Sequence, residues 1–262
     1  MLLKDRVAIV TGGSMGIGKG IALRFADEGC SVAIADISDS EGQKAVEEIS
    51  GKGGKALFIN CDVTDSLKVE DMVKKTVDTF GKVDIMVNSA GGIPGFDGEG
   101  IEQTSNEMWD KIVNLNLKGV FFCCRAVVPY MKKNKYGKIV NISSMGAVAP
   151  PAPIYHYHAA KGGVLSLSYN LAQELARFNI YVNCILPGPI RTPFWKPVTK
   201  GVEDVETFFK HIAEVVPLQR VGTPEDLGGA ALFYASDLSS YVTGDRMYVS
   251  GGIPLTPLEP AG

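Results

Sequence analysis

The feature that most constrains this chain is an alternation. Short apolar runs rich in β-branched residues, beginning at Val7–Val10 and Ser31–Asp36, are each followed by a segment whose apolar residues recur at helical spacing. The alternation continues with helices over Ser38–Gly51 and through Val69–Phe80, and with strands at Lys55–Cys61, Val83–Val87, Lys138–Ser143, Ile180–Leu186 and Asp245–Val249. Parallel strands need a long crossover, usually a helix, and the crossovers cover both faces of the sheet. The expected fold is α/β: one doubly wound parallel sheet of about seven strands, with helices on both faces. No linker, low-complexity stretch or solenoid repeat divides the chain, so 1–262 is read as one domain, with a lid at about 189–217 where periodicity weakens.

The first turn adds chemistry. Thr11-Gly12-Gly13-Ser14-Met15-Gly16-Ile17-Gly18 follows a strand and opens a helix with Ile21, Ala22, Phe25 and Ala26 on one face. Glycines there let the backbone turn tightly and approach a pyrophosphate, which rests on the helix N-terminus, as in a Rossmann-like fold. The second strand ends at Asp36, eighteen residues after Gly18. A carboxylate there binds both ribose hydroxyls of NAD and repels the extra phosphate of NADP. Asn88-Ser89-Ala90-Gly91 ends the fourth strand with small residues that let a nucleotide lie close, and a glycine-rich loop, 91–100, follows at the ligand-binding edge.

A second constellation lies further on. Tyr157 and Lys161 are four apart on a predicted helix, so they share a face. A nearby cation favours phenolate and is expected to pull the tyrosine below its ordinary value of about 10, making an acid/base near neutral pH. Ser144, at the end of the predicted strand Lys138–Ser143, can donate a hydrogen bond to a carbonyl or alkoxide oxygen. His156 and His158 flank the tyrosine, but helical neighbours point about 100° away from it, so neither is read as the base.

Composition narrows the classes. A net charge of −3 with no basic block argues against a dedicated nucleic-acid binder; Lys132-Lys133-Asn134-Lys135 reads as a solvated helix end. Cys30, Cys61, Cys123, Cys124 and Cys184 are odd in number and irregular in spacing, with no zinc motif, and read as reduced thiols of a cytosolic protein. No signal-peptide pattern opens the chain, and no apolar run is expected to span a membrane. Two helices, about Thr104–Lys133 (apolar nearly all round from Leu115 to Val128) and Tyr155–Phe178, are expected to be covered by another subunit. Thr223-Pro224-Glu225-Asp226 reads as a helix start.

Taken in order, these motifs resemble the short-chain dehydrogenase/reductases from Val7 to about Gly252. The resemblance implies catalytic roles for Asn116, Ser144, Tyr157 and Lys161. Asn116 is preferred to Asn114 by its spacing from Trp109 and the following Leu-x-Gly. It implies NAD contacts from Gly12, Ser14, Met15, Gly16, Ile17, Gly18, Asp36, Ile37, Asp62, Val63, Asn88, Ala90, Gly91, Tyr157, Lys161, Pro187, Gly188, Ile190 and Thr192. Met15 and Ile37 stand where NADP-preferring members carry basic residues. Ser89 and Ser250 depart from the usual Asn and Asp. The implied enzyme is a homotetrameric, NAD-dependent oxidoreductase moving hydride between a small secondary alcohol, apolar or cyclic, and its ketone. In it Lys161 also holds the nicotinamide ribose and Asn116 helps hold a relay water. Ile93, Pro94, Phe96, Pro150, Pro151, Tyr155, Phe194 and Trp195 are expected in segments facing the pocket, while Arg191, Lys196 and Lys200 leave room for a phosphorylated or CoA-bearing substrate. The alternatives are a 3-oxoacyl-type carbonyl reductase and a non-catalytic NAD-binding scaffold.

Overall fold

Every residue of β1 (Val7–Thr11), β4 (Ile85–Asn88) and β5 (Gly137–Ile142) is buried. Strands that read as unbroken apolar runs have both faces covered, and the computed structural model, which describes residues 1–96 and 100–254, shows how. With β2 (Ser31–Asp36), β3 (Lys55–Asn60), β6 (Ile180–Pro187) and β7 (Arg246–Val249) they form one seven-stranded sheet in the order β3-β2-β1-β4-β5-β6-β7. Every pairing is parallel.

Side chains alternate across the strands, so each face receives its own core. Ala8, Val10, Val32, Ile34, Ile85 and Val87 pack with α1 (Gly16–Asp27), α2 (Asp39–Gly51) and α8 (Pro224–Ala235), through residues such as Phe25, Ile49 and Ala231. Ile9, Ala33, Met86, Ile139 and Val182 face the other layer: α3 (Ser66–Phe80), α5 (Gly119–Asn134) and α6 (Tyr155–Leu175). Each fully buried aliphatic or aromatic side chain contributes about 1.5–3 kcal/mol. The start of α8 is fixed by Asp226, which accepts from Thr223 N at 2.8 Å and holds the Arg220 guanidinium at 2.6 and 2.8 Å.

The long helix expected over Thr104–Lys133 is divided. α4 (Asn106–Val113) passes through a π turn at Asn114–Lys118 into α5. The Asn116 amide donates to Ile112 O at 2.9 Å, inside the helical ladder, and a widened turn accommodates it. Asn106–Asn134 is the one helix among the described residues that is long enough to cross a bilayer, and its most apolar eighteen-residue window has a mean hydropathy of 1.3. Here it serves as a core helix, with Cys123, Val127 and Met131 against the sheet. Within Leu115–Val128 the outer face exposes Phe121 and Arg125.

All five cysteines are free and buried, and burial raises their thiols, to about 12 at Cys30 and Cys124 and about 11 at Cys61 and Cys184. Thiols so raised are poor nucleophiles. The expected loop 91–100 and the proline-containing tail lie partly outside the described residues.

A crossover reversal occurs between β1 and β4, where Thr11 pairs with Asn88. Ligands of open α/β sheets bind at the carboxyl ends of the strands beside such a reversal.

Candidate active site

At that rim Thr11 organises the β4 loop: its hydroxyl donates to Val87 O at 3.3 Å and accepts from Ser89 N and Ala90 N at 3.1 and 3.2 Å. Gly12 has φ +63°, and a methyl there would stand 2.9 Å from Ala90 Cα, so the turn requires glycine. α1 begins behind Met15 with neither a side-chain cap nor an acid in its first turn, leaving its N-terminal amides turned to the rim. Asp36 ends β2 beside this turn and accepts from Ser14 N and Ser38 N, both at 3.2 Å. Asp62, after β3, accepts from Thr64 N and Oγ1 at 2.9 and 2.8 Å, and Val63 is buried beside it. Thr192 reaches over the turn: a methyl at Gly16 would lie 3.3 Å from its Cβ. Pro187 ends β6, and Gly188 N donates to Val249 O at 3.0 Å.

These residues fit a dinucleotide. Ser14 Oγ and Asn88 Oδ1 are buried polar atoms without a hydrogen-bond partner among the described residues, one in the turn after β1 and the other at the carboxyl end of β4. Buried polar groups left unpaired cost roughly 1–3 kcal/mol each, a cost that a polar ligand against them removes.

The acid–base side is assembled from the ends of β4 and β5, the π turn and α6. Lys161 Nζ donates to Ile142 O at 2.8 Å. A methyl on Gly91 would lie 3.2 Å from that nitrogen and 2.6 Å from Asn116 Oδ1, so the three converge. Both ends of the Asn116 amide are engaged: Oδ1 accepts from Gly92 N at 3.0 Å, and Nδ2 donates to Gly92 O at 2.8 Å. Tyr157 is hydrogen-bonded by Ser144, and its ring centroid is 5.7 Å from Lys161 Nζ.

The expected depression of the Tyr157 phenol by Lys161 is not what the structure holds. Burial dominates and pushes Tyr157 up to about 12, with the Ser144 hydrogen bond pulling the other way. Lys161 is itself buried and brought down to about 8, so its own charge is disfavoured where the phenol sits.

The family model described as enoyl-(acyl carrier protein) reductase matches residues 12–254. The chain is a short-chain dehydrogenase/reductase. Among relatives of this dehydrogenase/reductase is (2S)-[(R)-hydroxy(phenyl)methyl]succinyl-CoA dehydrogenase subunit BbsD of Thauera aromatica, 39% identical over 96% of this chain and 98% of that protein. Another is the 3-oxoacyl-[acyl-carrier-protein] reductase FabG of Thermotoga maritima, 38% identical over 97% of this chain and 99% of that protein. Among solved structures, a 7α-hydroxysteroid dehydrogenase complexed with NADH and 7-oxo glycochenodeoxycholic acid superposes with a TM-score of 0.87. It is 34% identical and covers 95% of this chain and 94% of that one.

The dehydrogenase/reductase carries an aromatic path that leads outward from Tyr157. Phe194 lies 5.4 Å from it, Trp195 5.8 Å from Phe194, and Phe208 and Phe209 of α7 (Val205–Glu214) 5.7 and 6.0 Å from Trp195. Trp195 Nε1 donates to Ile190 O at 2.8 Å, and Arg191 pairs with Glu206 through both terminal guanidinium nitrogens. Ile190 is bridged to Gly222, so the segment between them leaves and rejoins the body at one point.

Supporting residues went unread in the sequence. Asn141 on β5 accepts from Asn88 Nδ2 at 2.7 Å and donates to Ser168 at 2.8 Å, while Ser143 Oγ donates to Lys161 O at 2.8 Å. A polar residue inside an otherwise apolar strand run was the available signal.

Proposed function

We propose that the chain is an NAD-dependent dehydrogenase that moves hydride between an apolar or cyclic secondary alcohol and its ketone. The observation that carries this reading is the convergence of Ser144, Tyr157 and Lys161 beside a cleft whose rim carries Asp36. The Asp36 carboxylate is placed to receive ribose hydroxyls, and exposed Ile37 beside it offers no cation to a 2′-phosphate. Bound at this cleft, the nicotinamide supplies or accepts the hydride.

In oxidation Tyr157, as phenolate, takes the hydroxyl proton, and Ser144 donates a hydrogen bond to the substrate oxygen. Lys161 opposes the burial cost of the phenolate charge and holds the nicotinamide ribose. Asn116, locked to Gly92, fixes the loop after β4 and orders the relay water near Lys161. In reduction the phenol returns its proton. The remaining cofactor contacts fall to Gly12, Ser14, Met15, Gly16, Ile17, Gly18, Asp62, Val63, Asn88, Ala90, Gly91, Pro187, Gly188, Ile190 and Thr192. The stretch 189–217 acts as the substrate lid. Its aromatic path supports a flat or cyclic substrate.

A second reading, reduction of a 3-oxoacyl thioester, draws on Lys196 and Lys200, which are exposed and make no ion pair among the described residues. Arg191, committed to Glu206, weakens it. For assembly we propose a cytoplasmic homotetramer, supported by apolar surface left on α5 and α6 at Phe121 and Tyr169.

The test is nicotinamide absorbance with purified protein, offering NAD and NADP separately with aliphatic, cyclic and aromatic secondary alcohols, and NADH and NADPH with a 3-oxoacyl thioester. NADH formation from cyclic or aromatic alcohols is expected. Turnover confined to NADPH and the thioester selects the second reading, and NAD binding without any turnover selects a scaffold.

A further inference from the structure

His158 lies one residue beyond Tyr157, and the proposed chemistry assigns it no task. Its ring rests against the loop that carries Ser144. A methyl placed on Gly146 would lie 2.5 Å from His158 Cδ2 and 2.6 Å from Nε2, with Ser144 Oγ 3.3 Å away. The imidazole therefore occupies the space that any side chain at position 146 would need. Gly146 is also the residue whose N–H donates to Ser144 Oγ, at 3.0 Å, within the short 3₁₀ turn Met145–Ala147. Its Cα face meets His158 while its amide holds the serine hydroxyl.

The ring is held from the other side as well. It stands edge-on to Tyr157, centroids 5.7 Å apart, and its ring nitrogens make no hydrogen bond among the described residues. Burial foremost, and its neighbour His156 second, lower its pKa from the ordinary 6.5, which favours the neutral ring. Gly162, one helical turn on, faces Ala147 O across the same seam at 3.8 Å from the point a methyl would take.

We infer that His158 is a positioning residue: its imidazole, wedged between Tyr157 and Gly146, sets the Ser144 hydroxyl at the distance from Tyr157 that proton transfer needs. The inference rests on the proposed role of Ser144 in turnover. It explains why position 146 holds glycine although the turn has no positive φ there. A seam that admits one bulky group admits it from either side, so a methyl at 146 and an imidazole at 158 exclude each other.

The experiment is a double-variant cycle, with NAD affinity, Tm, kcat and KM measured for Gly146→Ala, His158→Ala and the two together. Gly146→Ala is expected to lower kcat at least about tenfold and to lower Tm, with NAD affinity within about twofold of wild type. Adding His158→Ala is expected to restore most of both losses, and His158→Asn, a flat and smaller side chain, to keep more kcat than His158→Ala. Full activity in Gly146→Ala overturns the inference. So does a double variant whose Tm recovers while its kcat stays as low as that of Gly146→Ala, because the imidazole then only fills space. A wild type that turns over no alcohol or ketone instead overturns the function proposed for the site, and the positioning role falls with it; the two failures are read apart by the wild-type assay.

Discussion

Tyr157 and Lys161 carry opposite consequences of the same burial. The phenol is raised to about 12 and the ammonium lowered to about 8. The proposed oxidation needs phenolate and ammonium together. Below pH 8 the phenolate fraction grows tenfold per unit while the lysine stays charged; between 8 and 12 the gain in phenolate is cancelled by the loss of ammonium. The kcat/KM for oxidation should therefore rise about tenfold per pH unit up to about 8 and then level off; a flat profile from 6 to 8 contradicts the assignment. Tyr157→Phe should lower kcat by at least about 10²-fold with NAD affinity nearly intact, measured by turnover and by cofactor titration. The four-residue spacing made this pair legible, because a helix forces both side chains to one face. What spacing could not report was desolvation, which depends on β5 and on Phe194 packing against the pair and outweighs the lysine. Far from the rim, Lys138 is another buried cation, its Nζ 3.8 Å from the Tyr181 centroid and 3.2 Å from Ser239 Oγ. Burial lowers it to about 8, so the unfolded chain binds the extra proton between pH 8 and its ordinary 10.5, and stability gains with rising pH across that window. Lys138→Met should remove that gain, up to about 3 kcal/mol, from urea unfolding compared at pH 7.5 and 10; an unchanged difference argues against it.

Among the elements, α8 shows how a short local signal can be sufficient. Thr-Pro-Glu-Asp at its start is a sequence-level cap, and the structure adds the Arg220 pair to the same Asp226 carboxylate. Asp226→Ala should cost about 1–2 kcal/mol and lower Tm by about 2–6 °C, read by thermal unfolding, with NAD affinity changed little. A drop no larger than that of a neutral surface substitution would count against the cap. Helices and strands were legible because apolar periodicity reports which side of each segment is covered. The π turn at Asn114–Lys118 was not, since it depends on where Asn116 meets Gly92, a contact between segments that periodicity does not encode. The same holds for the seam between Gly146 and His158: each residue is locally unremarked, and only the approach of α6 to the loop after β5 gives them meaning.

On the scale of the molecule, apolar side chains remain on the outer layer. Phe121 is 43% exposed, tilted against Phe122 at 5.8 Å, with the Arg125 guanidinium 5.4 Å from its centroid. Placed at a subunit contact, this cluster loses its exposure; Phe121→Asp should then shift sedimentation from a tetramer to smaller species while leaving the monomer folded by circular dichroism. A wild type that sediments as a monomer at micromolar concentration rules out the assembly. The proposed proton-transfer residues come from β5, the π turn and α6, whereas the aromatic path comes from the stretch between Ile190 and Gly222. That stretch departs and returns through one pair of neighbouring backbone strands: Arg191 N donates to Gly222 O at 2.8 Å and Gly222 N to Pro189 O at 2.9 Å. Such an arrangement behaves as a cassette. On the proposed function, the substrate-facing part of the chain varies between two fixed ends while the proton-transfer residues stay on the body of the sheet, with Thr192 at the glycine turn and Leu218 at Gly251 tying the cassette down.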